Sequence, residues 1–179
     1  MGFHGPIGAW DFTDYNKENL RSILMEGGDQ HIITGAQKTE TINKGKATGE
    51  LFGGNLSLLV ALSGTAYDND LKNKIVFIED LGEKPRRVDR MLTQLRQANN
   101  LKQANGIILG EFVDCDPSEG DNSLSLIEVL KDRLAGLNIP IVYNFPFGHD
   151  KNLCTFPVGI NVEFDADKQQ VTLKESAMS

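Results

Sequence analysis

Two nearly unbroken apolar runs constrain the architecture more than any other feature of this chain. Ile75-Val76-Phe77-Ile78, following Lys74, and Gly106-Ile107-Ile108-Leu109-Gly110-Glu111-Phe112-Val113 show no alternation with polar residues. That is the pattern of strands covered on both faces. Between them, Val88, Met91, Leu92 and Leu95 recur at i, i+3, i+4 and i+7, the stripe of an amphipathic helix. A second helix, Ser123 to Leu134, carries Leu126, Ile127, Leu130 and Leu134, with Ser123 as its N-cap. It leads into a third short strand, Ile139 to Tyr143. Strand–helix–strand–helix–strand predicts a parallel sheet with crossover helices.

The flanks are more irregular. Lys17 to Glu26 places Leu20, Ile23 and Leu24 on one helical face and is closed by Gly27-Gly28. Gln37 to Ile42 and Thr48 to Phe52 read as strands of a hairpin around Asn43-Lys44-Gly45-Lys46. Gly53-Gly54-Asn55 opens a compact helix, Leu56 to Leu62. Gly82 and Pro85 fall in a loop, and Asp114 to Asn122 forms an acidic, exposed one. Val158 to Phe164 and Val171 to Leu173 read as a terminal hairpin. The expected fold class is therefore α/β: a mixed sheet with crossover helices, in a single domain for a chain of 179 residues.

Composition excludes several functions. The net charge of -7 argues against broad nucleic-acid binding, which needs clustered Lys and Arg to neutralise phosphates. No apolar run approaches the length needed to cross a bilayer, and the N-terminus lacks the basic flank and apolar core of a signal peptide. The two cysteines, Cys115 and Cys154, form no CxxC pair and no disulfide framework, consistent with reduced thiols in the cytoplasm.

In open α/β sheets, ligands bind beyond the carboxyl ends of the strands. Three segments leave strands at that edge. They deliver Glu79 and Asp80, then Asp114, then Asn144-Phe145-Pro146-Phe147-Gly148-His149-Asp150. A histidine oriented by a carboxylate is the base of a serine-type hydrolase, which singles out Glu79 and His149. His4 and His31 read as structural. No GxSxG turn presents a serine nucleophile: Ser57 and Ser63 belong to the short apolar helix, and Ser118, Ser123 and Ser125 to the acidic loop or its helix. Neither HExxH nor paired-histidine spacing is present, so no metal and no cofactor is expected. Gly53-Gly54-Asn55 lacks the full pattern of a phosphate-binding loop and reads as a tight turn.

The motifs in order resemble one family. Gly49-Glu50-Leu51-Phe52-Gly53-Gly54-Asn55-Leu56-Ser57-Leu58-Leu59 is similar to a signature of the LD-carboxypeptidases, which include the microcin C self-immunity proteins. So are Gly64-Thr65-Ala66-Tyr67, Ile75-Val76-Phe77-Ile78-Glu79-Asp80, Val88-Asp89-Arg90-Met91-Leu92-Thr93-Gln94-Leu95, Gly106-Ile107-Ile108-Leu109-Gly110 and Phe145-Pro146-Phe147-Gly148-His149. The resemblance covers nearly the whole chain. It is to the family's C-terminal domain, a swivelling β/β/α domain. His4-Gly5-Pro6 resembles the junction between the two halves, so residues 1–14 are expected to be a junction remnant and 15–179 the domain itself.

The resemblance implies that Glu79 and His149 are the acid and base of a Ser-Glu-His triad. It implies that the serine and oxyanion hole come from an N-terminal domain absent from this chain. The implied reaction is removal of terminal D-alanine from cytoplasmic murein tetrapeptides during cell-wall recycling. The immunity branch instead cleaves a peptide-nucleotide conjugate; the absence of a long insertion before Gly49 places this chain nearer the murein branch. Ala66 departs from the proline usual in the family. Asn55 and Arg90, by motif position, are candidates to contact substrate or hold the loop. The alternative is a non-catalytic binding module on the same scaffold. A face shaped for the missing domain is expected to be partly apolar, favouring self-association, a homodimer included.

Overall fold

A computed structural model describes residues 2–4, 12–26 and 30–178. The described chain has ten strands, β1 (Gly2–His4), β2 (Ile32–Thr34), β3 (Glu40–Asn43), β4 (Lys46–Asn55), β5 (Ile75–Leu81), β6 (Gly106–Val113), β7 (Ile141–Tyr143), β8 (Phe156–Val158), β9 (Asn161–Asp165) and β10 (Gln170–Leu173). Its α-helices are α1 (Asp14–Leu24), α2 (Leu56–Leu62), α3 (Pro85–Ala98) and α4 (Leu126–Leu134).

Eight strands form one mixed sheet in the order β2-β10-β9-β4-β5-β6-β7-β3, and β1 pairs with β8 separately. The centre, β4 to β7, is parallel. β4 holds the two parts together. Its first half, Lys46 to Glu50, runs antiparallel to β9, and its second half, Leu51 to Asn55, runs parallel to β5. The α/β class and the crossover helices agree with the sequence pattern, as does the β9–β10 hairpin.

Alternation along the strands sorts the core into two layers. Val76, Ile78, Ile107 and Leu109 face α2, α3 and α4, meeting Leu56, Leu59, Val88, Leu92, Leu95, Leu126 and Leu130. Ile75, Phe77 and Ile108 face the other way, into Ile23 of α1 and the rings of Phe145, Phe147, Phe156 and Phe164. Phe77 stacks edge-on against Phe147 and Phe156, with ring centroids 5.6 and 5.3 Å away, the geometry aromatic quadrupoles favour. Both faces of the central strands are thus dry, which is why the sequence shows continuous apolar runs there.

Four local expectations change. β3 and β4 do not pair as a hairpin: β3 leaves the turn and joins β7 at the far edge of the sheet, with a register shift between Thr41 and Asn43. Pro85 is not a loop residue but opens α3, where its fixed φ and missing N–H cost nothing. The N-cap of α4 is Ser125, not Ser123, because Glu128 three residues on completes a capping box. α1 starts at Asp14, ahead of Lys17, with the Thr13 side chain accepting from the Asn16 N–H. Gly27-Gly28 and most of the junction segment, Gly5 and Pro6 included, lie outside the described residues.

Candidate active site

The site forms where β5 ends and the chain leaving β7 runs on beside β6. After β7, Phe145 N donates to Leu109 O at 3.0 Å and Glu111 N donates to Phe147 O at 2.9 Å. Gly148 then forms a bridge with Glu111. These bonds guide the backbone to the end of β5. Gly148 has φ +121°, and a Cβ there would sit 2.8 Å from Glu111 O and 3.2 Å from the Glu79 carboxylate. Only glycine lets the turn come this close.

The approach closes one contact: His149 Nδ1–H donates to Glu79 Oε2 at 2.6 Å. Glu79 is 1% exposed while the His149 side chain is 43% exposed. The buried carboxylate therefore anchors one ring nitrogen and leaves the other side of the imidazole facing solvent. Burial pushes the Glu79 carboxyl above its ordinary range, and the neighbouring His149 pulls it back. Its second oxygen, Oε1, is buried without a hydrogen-bond partner. A carboxylate in this position gains most when the imidazole beside it becomes charged.

Glu79 and His149 lie in the wall of an open hollow of about 490 Å³, with Phe52, Gly53, Gly54, Asn55, Leu58, Leu59, Leu62 and Asn69. No described serine lines it. Among the described residues, no cluster of His, Cys, Asp and Glu could hold a metal ion.

Gly53-Gly54-Asn55, read from the sequence as a tight turn, is instead the end of β4, paired with Phe77, Ile78 and Glu79 of β5, and forms the wall of the hollow next to Glu79. A Cβ on Gly53 would lie 1.8 Å from Phe77 O, so β4 and β5 could not pair here with any other residue. Asn55 is the N-cap of α2, its Oδ1 accepting from Leu58 N at 3.2 Å and from the Ser57 hydroxyl at 2.6 Å. Its amide donates to Asp80 Oδ1 at 2.9 Å, and Asp80 Oδ2 accepts from Ser57 N at 3.0 Å. Ser57 is thus engaged in capping and turned to Asn55. The same Asn55 amide group also faces the Glu79 carboxylate, whose charged form it favours. Arg90 is exposed on α3 and is not among the lining residues. Asp114 is exposed, does not line the hollow and adopts φ 55°.

Sequence reasoning passed over two residues that support the His149 turn. Asn16, fully buried in α1, donates to Lys151 O at 3.1 Å and accepts from Leu153 N at 2.8 Å. Nothing in a lone asparagine of an amphipathic helix signals this. Glu111 does carry a signal, being the one charged residue within the apolar run of β6.

A family model described as the LD-carboxypeptidase C-terminal domain matches residues 48–164. A protein of Synechocystis, provisionally named a carboxypeptidase, is 40% identical over 169 residues, which cover 93% of this chain and 54% of the relative. A Bacillus subtilis protein named a probable murein peptide carboxypeptidase is 34% identical over 177 residues, covering 96% of this chain and 55% of the relative. The chain spans about half the length of the curated relatives it matches. The solved structure of muramoyltetrapeptide carboxypeptidase from Oxalobacter formigenes superposes with a TM-score of 0.80 at 29% identity, over 96% of this chain and 59% of that one.

Proposed function

Because the chain belongs to the LD-carboxypeptidase family, whose C-terminal domain it matches over residues 48–164, we propose that it supplies the Glu and His of a Ser-Glu-His site that removes terminal D-alanine from murein peptides. The observation that carries this reading is the 2.6 Å bond between His149 and Glu79 in the wall of an open hollow. The serine comes from outside residues 1–179, on an N-terminal domain that also provides the oxyanion hole. The absence of a described serine from the hollow supports this, as does the match to about half of each relative.

In this mechanism His149 Nε2 takes the proton of the serine hydroxyl as its oxygen attacks the carbonyl of the scissile peptide bond. The C–N bond then breaks, and His149 returns the proton to the departing D-alanine amine. A water activated by the same nitrogen releases the acyl group and restores the serine. Glu79 keeps Nδ1 protonated and stabilises the imidazolium. Asn55, in the wall of the hollow between Asp80 and Glu79, holds the site in place beside the substrate, and Arg90, exposed outside the hollow, is left out of the site. Murein peptide as substrate is supported by the names of the Bacillus and Oxalobacter relatives. The role proposed with it, cytoplasmic cell-wall recycling, rests on the resemblance to the family. No helix among the described residues is long and apolar enough to cross a membrane.

The test is D-alanine release from a murein tetrapeptide, read by mass spectrometry. This chain is assayed alone and mixed with the serine-bearing N-terminal domain of a relative, with His149→Ala in parallel. Release only in the mixture, lost with His149→Ala, is the expected result. Release by the chain alone would place the nucleophile within it. A stable mixed complex without release would leave a binding module in place of an enzyme.

A further inference from the structure

Beside the His149 turn sits a second acidic pair with no part in the chemistry above. Glu111, at the end of β6, is tied to the turn by its backbone on both sides, through Phe147 O and Gly148. Its side-chain Oε2 is buried and has no hydrogen-bond donor. Its carboxyl lies within hydrogen-bonding reach of Asp150, the residue directly after His149. An ionised Glu111 would keep an unpaired oxygen out of water, next to a second anion, and each of these costs free energy. A protonated carboxyl has a donor of its own and an acceptor for it in Asp150.

We propose that Glu111 is a positioning residue for His149: its carboxyl shares one proton with that of Asp150, and the pair fastens the His149 turn to the end of β6. The other groups around Glu111 leave the proton there. Lys38, from the segment before β3, is the cation of the cluster and stands 4.0 Å from Asp150. Tyr15 of α1 and the thiol of Cys154 are pushed well above their ordinary ranges by burial, and Tyr143 of β7 up to about 12, so all three stay neutral. Burial first, and then Asp150, push Glu111 up to about 7, with Lys38 pulling the other way. Loss of the shared proton near neutral pH sets two carboxylates against each other and loosens the turn that carries His149.

The inference rests on the reading of His149 as base only for its catalytic meaning, and its test needs no catalysis. The whole chain, labelled at side-chain carboxyl carbons and histidine rings, is titrated by NMR from acid to mild alkali. Glu111 is expected to titrate near 7, and its midpoint to fall by about one unit or more in Asp150→Asn. The His149 ring signals are expected to show an inflection at the Glu111 midpoint, and Glu111→Gln removes it. A merely structural Glu111 would leave the His149 signals without an inflection there. A Glu111 midpoint near 4.5, a midpoint unmoved by Asp150→Asn, or His149 signals that do not follow Glu111 overturns the proposal. If Glu111→Gln fails to fold, the Asp150→Asn arm decides alone. Failure here leaves the proposed hydrolysis untouched, since D-alanine release is measured separately.

Discussion

Glu79 and His149 lie 70 residues apart in the chain and meet through a 2.6 Å hydrogen bond. The contact joins a carboxylate sealed in the core to an imidazole left in solvent. That asymmetry suits proton transfer: the fixed partner holds the tautomer, and the open side of the ring stays available to a second reactant.

In the proposed enzyme, the chain mixed with a relative's serine-bearing domain, His149→Ala should lower kcat by at least about 10³-fold, and Glu79→Gln by about 10²- to 10⁴-fold. Their stabilities should separate. His149→Ala leaves the Glu79 carboxylate, 1% exposed, without its hydrogen bond, so it should lower the melting temperature by a few degrees. Glu79→Gln removes a buried charge whose neutral form the site favours, so the chain should melt at the same temperature or higher. A large drop in melting temperature for both would mean the pair holds the fold rather than performs chemistry.

Several of these features were legible in the residues, and the reasons for the others are physical. The apolar runs of β5 and β6 and the stripe of α3 depend on nearby residues only, and α2 falls at its expected bounds. Glu79 and His149 were marked by where strands end. The pairing of β3 was not legible, because the Asn43-to-Lys46 turn reads as a hairpin while the true partner, β7, lies about a hundred residues further along. Ser123 and Ser125 differ only in their spacing to Glu128. The buried roles of Asn16 and Asp80 depend on loops arriving from elsewhere in the chain, which periodicity does not report.

Stability should fall as pH rises from about 5 to about 8. Glu111 is raised to about 7 and Glu79 is also raised. The folded state therefore holds protons that the unfolded chain has already lost. Their contribution is complete below the ordinary carboxylate value and is lost as pH climbs through the folded one. Allowing for the partial exposure of Glu111, its share is about 1–2 kcal/mol. Asp165 and Glu128 are lowered by Lys46 and by Ser125 respectively. Their effect has the opposite sign and lies at more acid pH, whereas His31, lowered by burial, opposes Glu111 inside the window, so the Glu111 share is read as the difference between the chain and Glu111→Gln. Glu111→Gln should flatten the pH 5–8 slope in chemical denaturation. An unchanged slope would show that Glu111 is not protonated in the native state.

Adjacent glycines should respond differently to the same change. Gly53 and Gly54 have φ +153° and +148°, but a Cβ on Gly53 meets Phe77 O at 1.8 Å whereas one on Gly54 meets nothing within 4 Å. Gly54→Ala should cost about 1 kcal/mol, from backbone strain alone. Gly53→Ala must also part β4 from β5 and should cost about 3 kcal/mol or more. Equal losses in denaturant midpoint would contradict the close approach of the two strands.

Asn55 has a structural task separable from any contact with substrate. It caps α2 and donates to Asp80, so Asn55→Ala should lower stability by about 1–2 kcal/mol. Asn55→Asp keeps the cap but sets a second carboxylate against Asp80 and removes the donor. It should therefore destabilise too and raise KM in the assembled enzyme. A full rescue by Asn55→Asp would mean that the amide is used neither by Asp80 nor by substrate.

The rim of the hollow should decide whether the serine-bearing domain can dock. Leu58 and Leu62, on the exposed side of α2, are 66% and 37% solvent-accessible and line the hollow beside His149. Exposed leucines on one wall of a catalytic hollow gain little from water and about 1–2 kcal/mol each from being covered. Leu58→Glu should leave the melting temperature of this chain unchanged, because the side chain is already solvated. It should weaken association with the serine-bearing domain about tenfold or more, since a carboxylate would then have to be desolvated at the contact. The self-association expected of the isolated chain should weaken with the same substitution, and a chain already monomeric at high concentration in sedimentation would contradict that expectation. Undiminished D-alanine release with Leu58→Glu at limiting domain concentration would move the docking face elsewhere on the molecule.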